Sequence, residues 1–95
     1  MTFLTEGKAT FYFFSSANRN LCVSGRNFVL RKEDGIIDQK IPAISVRDIV
    51  IFGESMIHAS VFSLARSNEI PIHFLSKGGK YVGSIRFDYS KNIIL

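Results

Sequence analysis

Residues able to do chemistry are few in this sequence and widely spaced. The histidines are His58 and His73, set among eight carboxylates. Histidine with carboxylates is the donor set of a divalent-metal site, and metal-assisted phosphodiester cleavage needs such groups to converge. Glu54 lies close before His58, which raises a metal site as one reading. Against it, His73 sits in the apolar stretch Ile72-His73-Phe74, where a structural or edge position is the simpler account. Asp48, Glu54, Glu69 and Asp88 fall in predicted turns and strand ends, where charges keep sheet edges soluble. Their spacing gives no convergence, so no catalytic residue and no metal ligand is assigned.

A second group has the chemistry of nucleic-acid contact. Lys77, Gly78, Gly79, Lys80 and Tyr81 form a basic, glycine-containing turn followed by an aromatic. Such a turn can approach a phosphate backbone, and Tyr81 can stack on a base. A plain hairpin turn with lysines in water is the competing reading. Arg86 lies further along the same predicted strand, although spacing alone puts Lys80, Tyr81 and Arg86 on mixed faces. Cys22 is the single cysteine, within Leu21-Cys22-Val23, and reads as a small core filler.

The elements that position these residues are mostly strands. Nine Phe and three Tyr accompany no Trp, and 46% of the 95 residues are hydrophobic. That composition suits one folded domain, and the aromatics suit pleated surfaces. Strands are expected at 9–14, 21–24, 28–31, 36–41, 46–52, 72–75 and 80–87. Residues 15–20 read as a polar turn and Gly25-Arg26-Asn27 as a tight one. Asp34-Gly35 would supply the positive φ angles of a primed hairpin turn. Pro42 stops the strand before it. The run Ile49-Val50-Ile51-Phe52 reads as a strand buried on both faces. Helical spacing of Val61, Phe62, Leu64 and Ala65 predicts a helix near 59–68, with Ser60 as a cap and Asn68 and Pro71 at its end. The fold class is α+β, mostly β: a small, sandwich-like domain of hairpins with one helix. Phe11, Tyr12, Phe13 and Phe14 cannot all face inward on a half-exposed strand. Exposed apolar patches mark interfaces, so this stretch is expected to contribute to a homodimer contact.

The ordered set of motifs resembles the N-terminal domain of the CRISPR-associated integrase, the spacer-acquisition "Cas-one" family. The pieces are Lys32-Glu33-Asp34-Gly35, then Ile41-Pro42, then Asp48-Ile49-Val50-Ile51-Phe52-Gly53. After a helix come Ile70-Pro71-Ile72-His73-Phe74-Leu75-Ser76 and Gly78-Gly79-Lys80-Tyr81-Val82-Gly83. The likeness covers about residues 21–87, and residues 1–20 depart from the pattern. It implies a β-rich domain over 1–88, with 89–95 the start of a linker or of a truncated helical domain. It also implies a homodimer, a small "Cas-two" partner and double-stranded DNA. The family's chemistry is that of a metal-dependent endonuclease and integrase. Its Mg or Mn site lies in a helical domain, and no residue here matches those ligands, so none is carried over and no cofactor is assigned to this chain.

The implied role is therefore non-catalytic: dimerisation and positioning of DNA. A self-contained metal nuclease and a generic β-rich interaction module are the alternatives. Net charge of +4 and a pI near 9.5 permit nucleic-acid binding without demonstrating it. No apolar run is long enough to span a bilayer and no signal-peptide pattern opens the chain, so the expected location is the cytoplasm and no membrane partner is expected.

Overall fold

The computed structural model describes residues 8–14, 19–54 and 56–87. Of the turn predicted at 15–20, residues 15–18 lie outside the described residues, as do Asp88 and the proposed boundary at 88–89, while Arg19 and Asn20 belong to a strand and not to a turn. The chain builds β1 (Ala9–Phe14), β2 (Arg19–Ser24), β3 (Asn27–Lys32), β4 (Ile37–Pro42), a 3-10 turn (Ala43–Ser45) and β5 (Val46–Phe52). The helix α1 (Ser60–Ser67), β6 (Ile72–Leu75) and β7 (Tyr81–Ile85) follow. One sheet has the order β1-β5-β6-β7 and the other the order β2-β3-β4. The mostly β fold, with a single α-helix among the described residues, is the class expected from the sequence.

Local chemistry explains the antiparallel sheet. Gly25 adopts φ 64° between paired Ser24 and Asn27, giving a two-residue turn with glycine at its first position. The next turn differs from the expected primed type. Gly35 is left-handed at φ 87°, but Asp34 is not. The Gly35 N–H donates to Lys32 O, the Lys32 N–H donates to Ile36 O, and Asp34 Oδ1 accepts from the Ile36 N–H. This is a three-residue loop with a glycine bulge, and the aspartate acts through its side chain rather than through a positive φ. Pro42 closes β4 opposite Asn27 on an edge strand, where no ladder N–H is required of it.

The other sheet is mixed. β1 runs parallel to β5, and β5 runs parallel to β6. Parallel neighbours need crossover connections. Here the whole β2-β3-β4 meander connects β1 to β5, and α1 connects β5 to β6. The meander is tied back by residues 56–58, which run beside β2: the Leu21 N–H donates to Met56 O at 3.1 Å and the His58 N–H donates to Leu21 O at 2.9 Å.

Both sheets and the helix bury one core. Phe13, Ile49, Ile51 and Ile72 come from the mixed sheet, Leu21, Phe28 and Leu30 from the meander, and Val61 and Ala65 from α1. Alternation along β5 buries Val46, Ile49 and Ile51 but leaves Val50 and Phe52 half-buried. The expectation that β5 is covered on both faces is thus corrected: among the described residues, only one face of the mixed sheet packs against the rest of the domain. Cys22 is also corrected, since it alternates out from buried Leu21 and is half-exposed.

Two stability predictions follow from this packing. Ile51→Ala opens a cavity in the central strand and lowers the unfolding free energy by about 2–5 kcal/mol in a urea titration. Glu69, just past the helix end, has φ 53° where glycine is preferred. Glu69→Gly raises stability by about 1 kcal/mol in the same titration.

Candidate interaction face and basic turn

The face of the mixed sheet that the described residues leave uncovered carries the candidate site. Register fixes which side chains share it. Tyr12 pairs with Val50, which pairs in turn with His73, and Phe14 pairs with Phe52, which pairs in turn with Leu75. Strand alternation sends Phe13 inward, 2% exposed, and leaves Tyr12 and Phe14 outward at 56% and 60%. Phe11 is half-buried against the core. Of the four aromatics expected in a contact, Phe13 is therefore a core residue and contributes no surface. Phe14 stacks on Phe52 with ring centroids 4.6 Å apart and planes 9° apart. Tyr12 lies 6.3 Å from the same ring. Sequence reasoning missed Phe52 because it treated β5 as wholly interior.

A polar chain crosses the same face. The Thr10 hydroxyl donates to Asp48 Oδ1 at 2.6 Å, and Arg47 donates to Thr10 Oγ1 at 3.0 Å. His73 Nδ1 lies 2.9 Å from Ser84 Oγ, which is 2.8 Å from the Tyr81 hydroxyl. His73 Nε2 stands 3.8 Å from Asp48 Oδ2. A serine, histidine and aspartate are thus in sequence across the strands. However, 3.8 Å is beyond hydrogen-bond range, so Asp48 does not orient the ring as a nucleophilic triad requires.

His58 lies elsewhere, before α1. Its Nδ1 accepts the Ser60 N–H at 3.1 Å and contacts Ser60 Oγ at 2.8 Å. The histidine ring, not the Ser60 hydroxyl, satisfies the exposed donor at the helix start. The pairing of His58 with His73 and carboxylates, on which a self-contained nuclease depends, is not formed. Among the described residues no three of His, Cys, Asp or Glu come close enough to hold a metal ion. The Mg or Mn implied by the family resemblance therefore has no fitting ligand set among the described residues.

The basic turn follows β6. Ser76 organises it: its N–H donates to Lys80 O at 2.7 Å, its O accepts from the Gly79 N–H at 2.9 Å, and its Oγ accepts from the Lys80 N–H at 3.0 Å. Lys77 and Lys80 are exposed. Leu75 pairs with Tyr81 while Phe74 pairs with Gly83, so Val82 is an extra residue. This bulge breaks alternation and leaves consecutive Tyr81 and Val82 exposed at 63% and 68%. Val82, but not Tyr81, borders a groove of about 660 Å³ that is also lined by Gly53, Glu54, Phe74, Leu75, Ser76 and Lys77. Arg86 is not part of this group. It follows the far end of β7, against Glu69 and Phe87, roughly 16 Å from Tyr81 at the rise of an extended strand.

The family profile described as "CRISPR associated protein Cas1" matches residues 12–95. The chain belongs to the Cas1 family. A curated relative, the CRISPR-associated exonuclease Cas4/endonuclease Cas1 fusion of Leptospira interrogans, is 28% identical over 83 residues, covering 74% of this chain and 15% of the relative. A solved Cas1 protein from Thermotoga maritima is 32% identical with a TM-score of 0.69, over 84% of this chain and 24% of that one. A chain of a partial Cas6-RT-Cas1–Cas2 complex shares the fold at a TM-score of 0.71 and 18% identity, over 83% of this chain and 24% of that one. This Cas1 chain thus spans about a quarter or less of the length of these relatives.

The capping role of His58 is testable. His58→Ala lowers the unfolding free energy by about 1 kcal/mol, as loss of a helix cap does. Millimolar manganese leaves the melting temperatures of parent and variant unchanged in a thermal melt.

Proposed function

We propose that this chain is the dimerisation and DNA-positioning domain of a CRISPR spacer-acquisition integrase, without catalytic residues of its own. The carrying observation is the sheet face that the domain leaves uncovered, with Tyr12 and Phe14 exposed over Phe52. A stacked aromatic patch on a rigid sheet suits a protein contact, because rigid rings lose little conformational entropy on binding. The partner is a second copy of the chain, using the same patch about a two-fold axis.

Lys77, Lys80 and Tyr81 serve the DNA half of the role. They lie on β7 and the turn before it, while the aromatic stack lies on β1 and β5. β7 lies two strand spacings, roughly 10 Å, from β5 and three, roughly 14 Å, from β1. Self-association and DNA contact therefore use different parts of one face. Arg86 is left out of this surface. In the wider assembly the chain would work with a Cas2 protein on double-stranded DNA, a reading supported by the Cas1–Cas2 complex that shares its fold and by the endonuclease name of its Leptospira relative. Metal-assisted DNA joining belongs to other residues of such an integrase. The setting is the cytoplasm. Among the described residues no helix is long and apolar enough to cross a membrane.

Sedimentation velocity tests the dimer. The chain sediments as a dimer at micromolar concentration, and Phe14→Asp weakens association by at least about tenfold while leaving the melting temperature near that of the parent. A monomeric parent chain with an intact fold would overturn the proposal.

A further inference from the structure

We infer that His73 and Asp48 form half of a zinc site, completed by the same two residues of a second copy of the chain across the open sheet face. The inference rests on the self-association half of the proposed function and names what closes the centre of that contact. It begins from two donor atoms whose neighbours are already engaged. The Thr10 hydroxyl donates to Asp48 Oδ1 at 2.6 Å, and Oδ2 is the oxygen turned to His73. His73 Nδ1 lies 2.9 Å from Ser84 Oγ, which lies 2.8 Å from the Tyr81 hydroxyl, and Nε2 is the nitrogen turned to Asp48. Nε2 and Oδ2 stand 3.8 Å apart.

That gap is too wide for a hydrogen bond and suits a shared cation. Zinc binds imidazole nitrogen and carboxylate oxygen at about 2.0–2.2 Å, so neighbouring donors of a tetrahedral ion stand roughly 3.4 Å apart. Small side-chain rotations bring the pair to that spacing. The surroundings are those of metal ligands. A ligating histidine donates its other ring N–H to a fixed acceptor, and a ligating carboxylate is itself hydrogen-bonded. Ser84 is that acceptor when Nδ1 carries the proton, and its own hydroxyl then donates to the Tyr81 oxygen. Nε2 is left with a lone pair directed at a carboxylate, an arrangement that a cation between them stabilises. Arg47, the adjacent cation, meets the carboxylate at Oδ1, 3.9 Å away. Imidazole with carboxylate suits zinc, whereas magnesium and manganese favour oxygen donors.

One chain supplies two ligands, and a structural zinc takes four. Among the described residues no third His, Cys, Asp or Glu joins the pair. Symmetry supplies the rest, because a two-fold contact sets each residue near its axis against its own copy. Asp48 and His73 lie on β5 and β6, the inner strands of the mixed sheet, and so at the middle of its width. Both side chains are 25% exposed, open to the face yet held by it. Sheets packed face to face lie about 10 Å apart, so an ion midway is roughly 5 Å from each backbone, within reach of both side chains. An axis beside this pair gathers two nitrogens and two oxygens around one zinc. Tyr12 and Phe14, one strand away on β1, pack beside it.

Cobalt occupies zinc sites and absorbs strongly in the visible when tetrahedral, so it reports the ligands directly. The 95-residue chain titrated with cobalt develops that absorption, saturating at one ion per two chains. Zinc displaces the cobalt and, in sedimentation velocity, tightens association at least about tenfold over chelator-treated protein. His73→Gln and Asp48→Asn abolish both effects and keep melting temperatures near that of the parent, while His58→Ala retains both effects. Dimers in chelator that zinc does not tighten, saturation at one ion per chain, or a cobalt spectrum that survives His73→Gln would overturn the inference and leave self-association intact. A chain that is monomeric in chelator and in zinc would overturn both. If His58→Ala removes the cobalt spectrum, the metal lies at the helix start and the inference fails.

Discussion

Everything in this domain hangs on β5 having a neighbour on each side. Its backbone pairs in parallel with β1 and with β6, and its residues Ile49 and Ile51 sit at the centre of the core. Parallel pairing forbids a tight turn between partners, so each neighbour must arrive by a detour. One detour became the second sheet and the other became the helix. Both detours supply the apolar surface that covers Ile49 and Ile51, so the topology and the core are one solution to the same requirement.

Among the described residues, that solution covers only one side of the mixed sheet. A chain of this size has few elements to spare, and both crossovers pack against the inner face. The outer face is left to side chains that must satisfy themselves. They do so in two ways. Thr10, Arg47 and Asp48 bond one another at one end, while Phe14, Phe52 and Tyr12 stack at the other. The polar end tolerates water. The aromatic end gains from being covered, and burial of apolar area is the main force available to cover it. An association surface is therefore a by-product of how the core was closed.

Much of the framework was legible in the sequence because it is written locally. The helix near Val61–Ala65, the Asp34-Gly35 turn and the strand stretches each declare themselves within a few residues. Long-range choices were not legible. Alternation in Phe11–Phe14 shows that two side chains must point each way, but not which pair meets the core. Ile49-Val50-Ile51-Phe52 looks wholly interior because an apolar run is the same whether its second face is covered by its own chain or by another. The bulge at Val82 depends on how β7 registers against β6, which no short window contains. Cys22 looked like core for want of that same alternation. His58 invited a metal reading, yet its neighbours are decided by a segment that lies along β2.

The order in which the strands are made has a bearing on how the protein is born. β1 leaves the ribosome before the other described strands, and its parallel partner follows only after the entire meander has been synthesised. At usual translation rates of about 5–20 residues per second, the aromatic strand waits on the order of seconds without its mate. During that interval the three-stranded meander can already form, since its contacts are local and close quickly. The nascent domain is thus a finished small sheet beside an adhesive, unpaired strand, and the late docking of that strand is the step at which aggregation competes with folding.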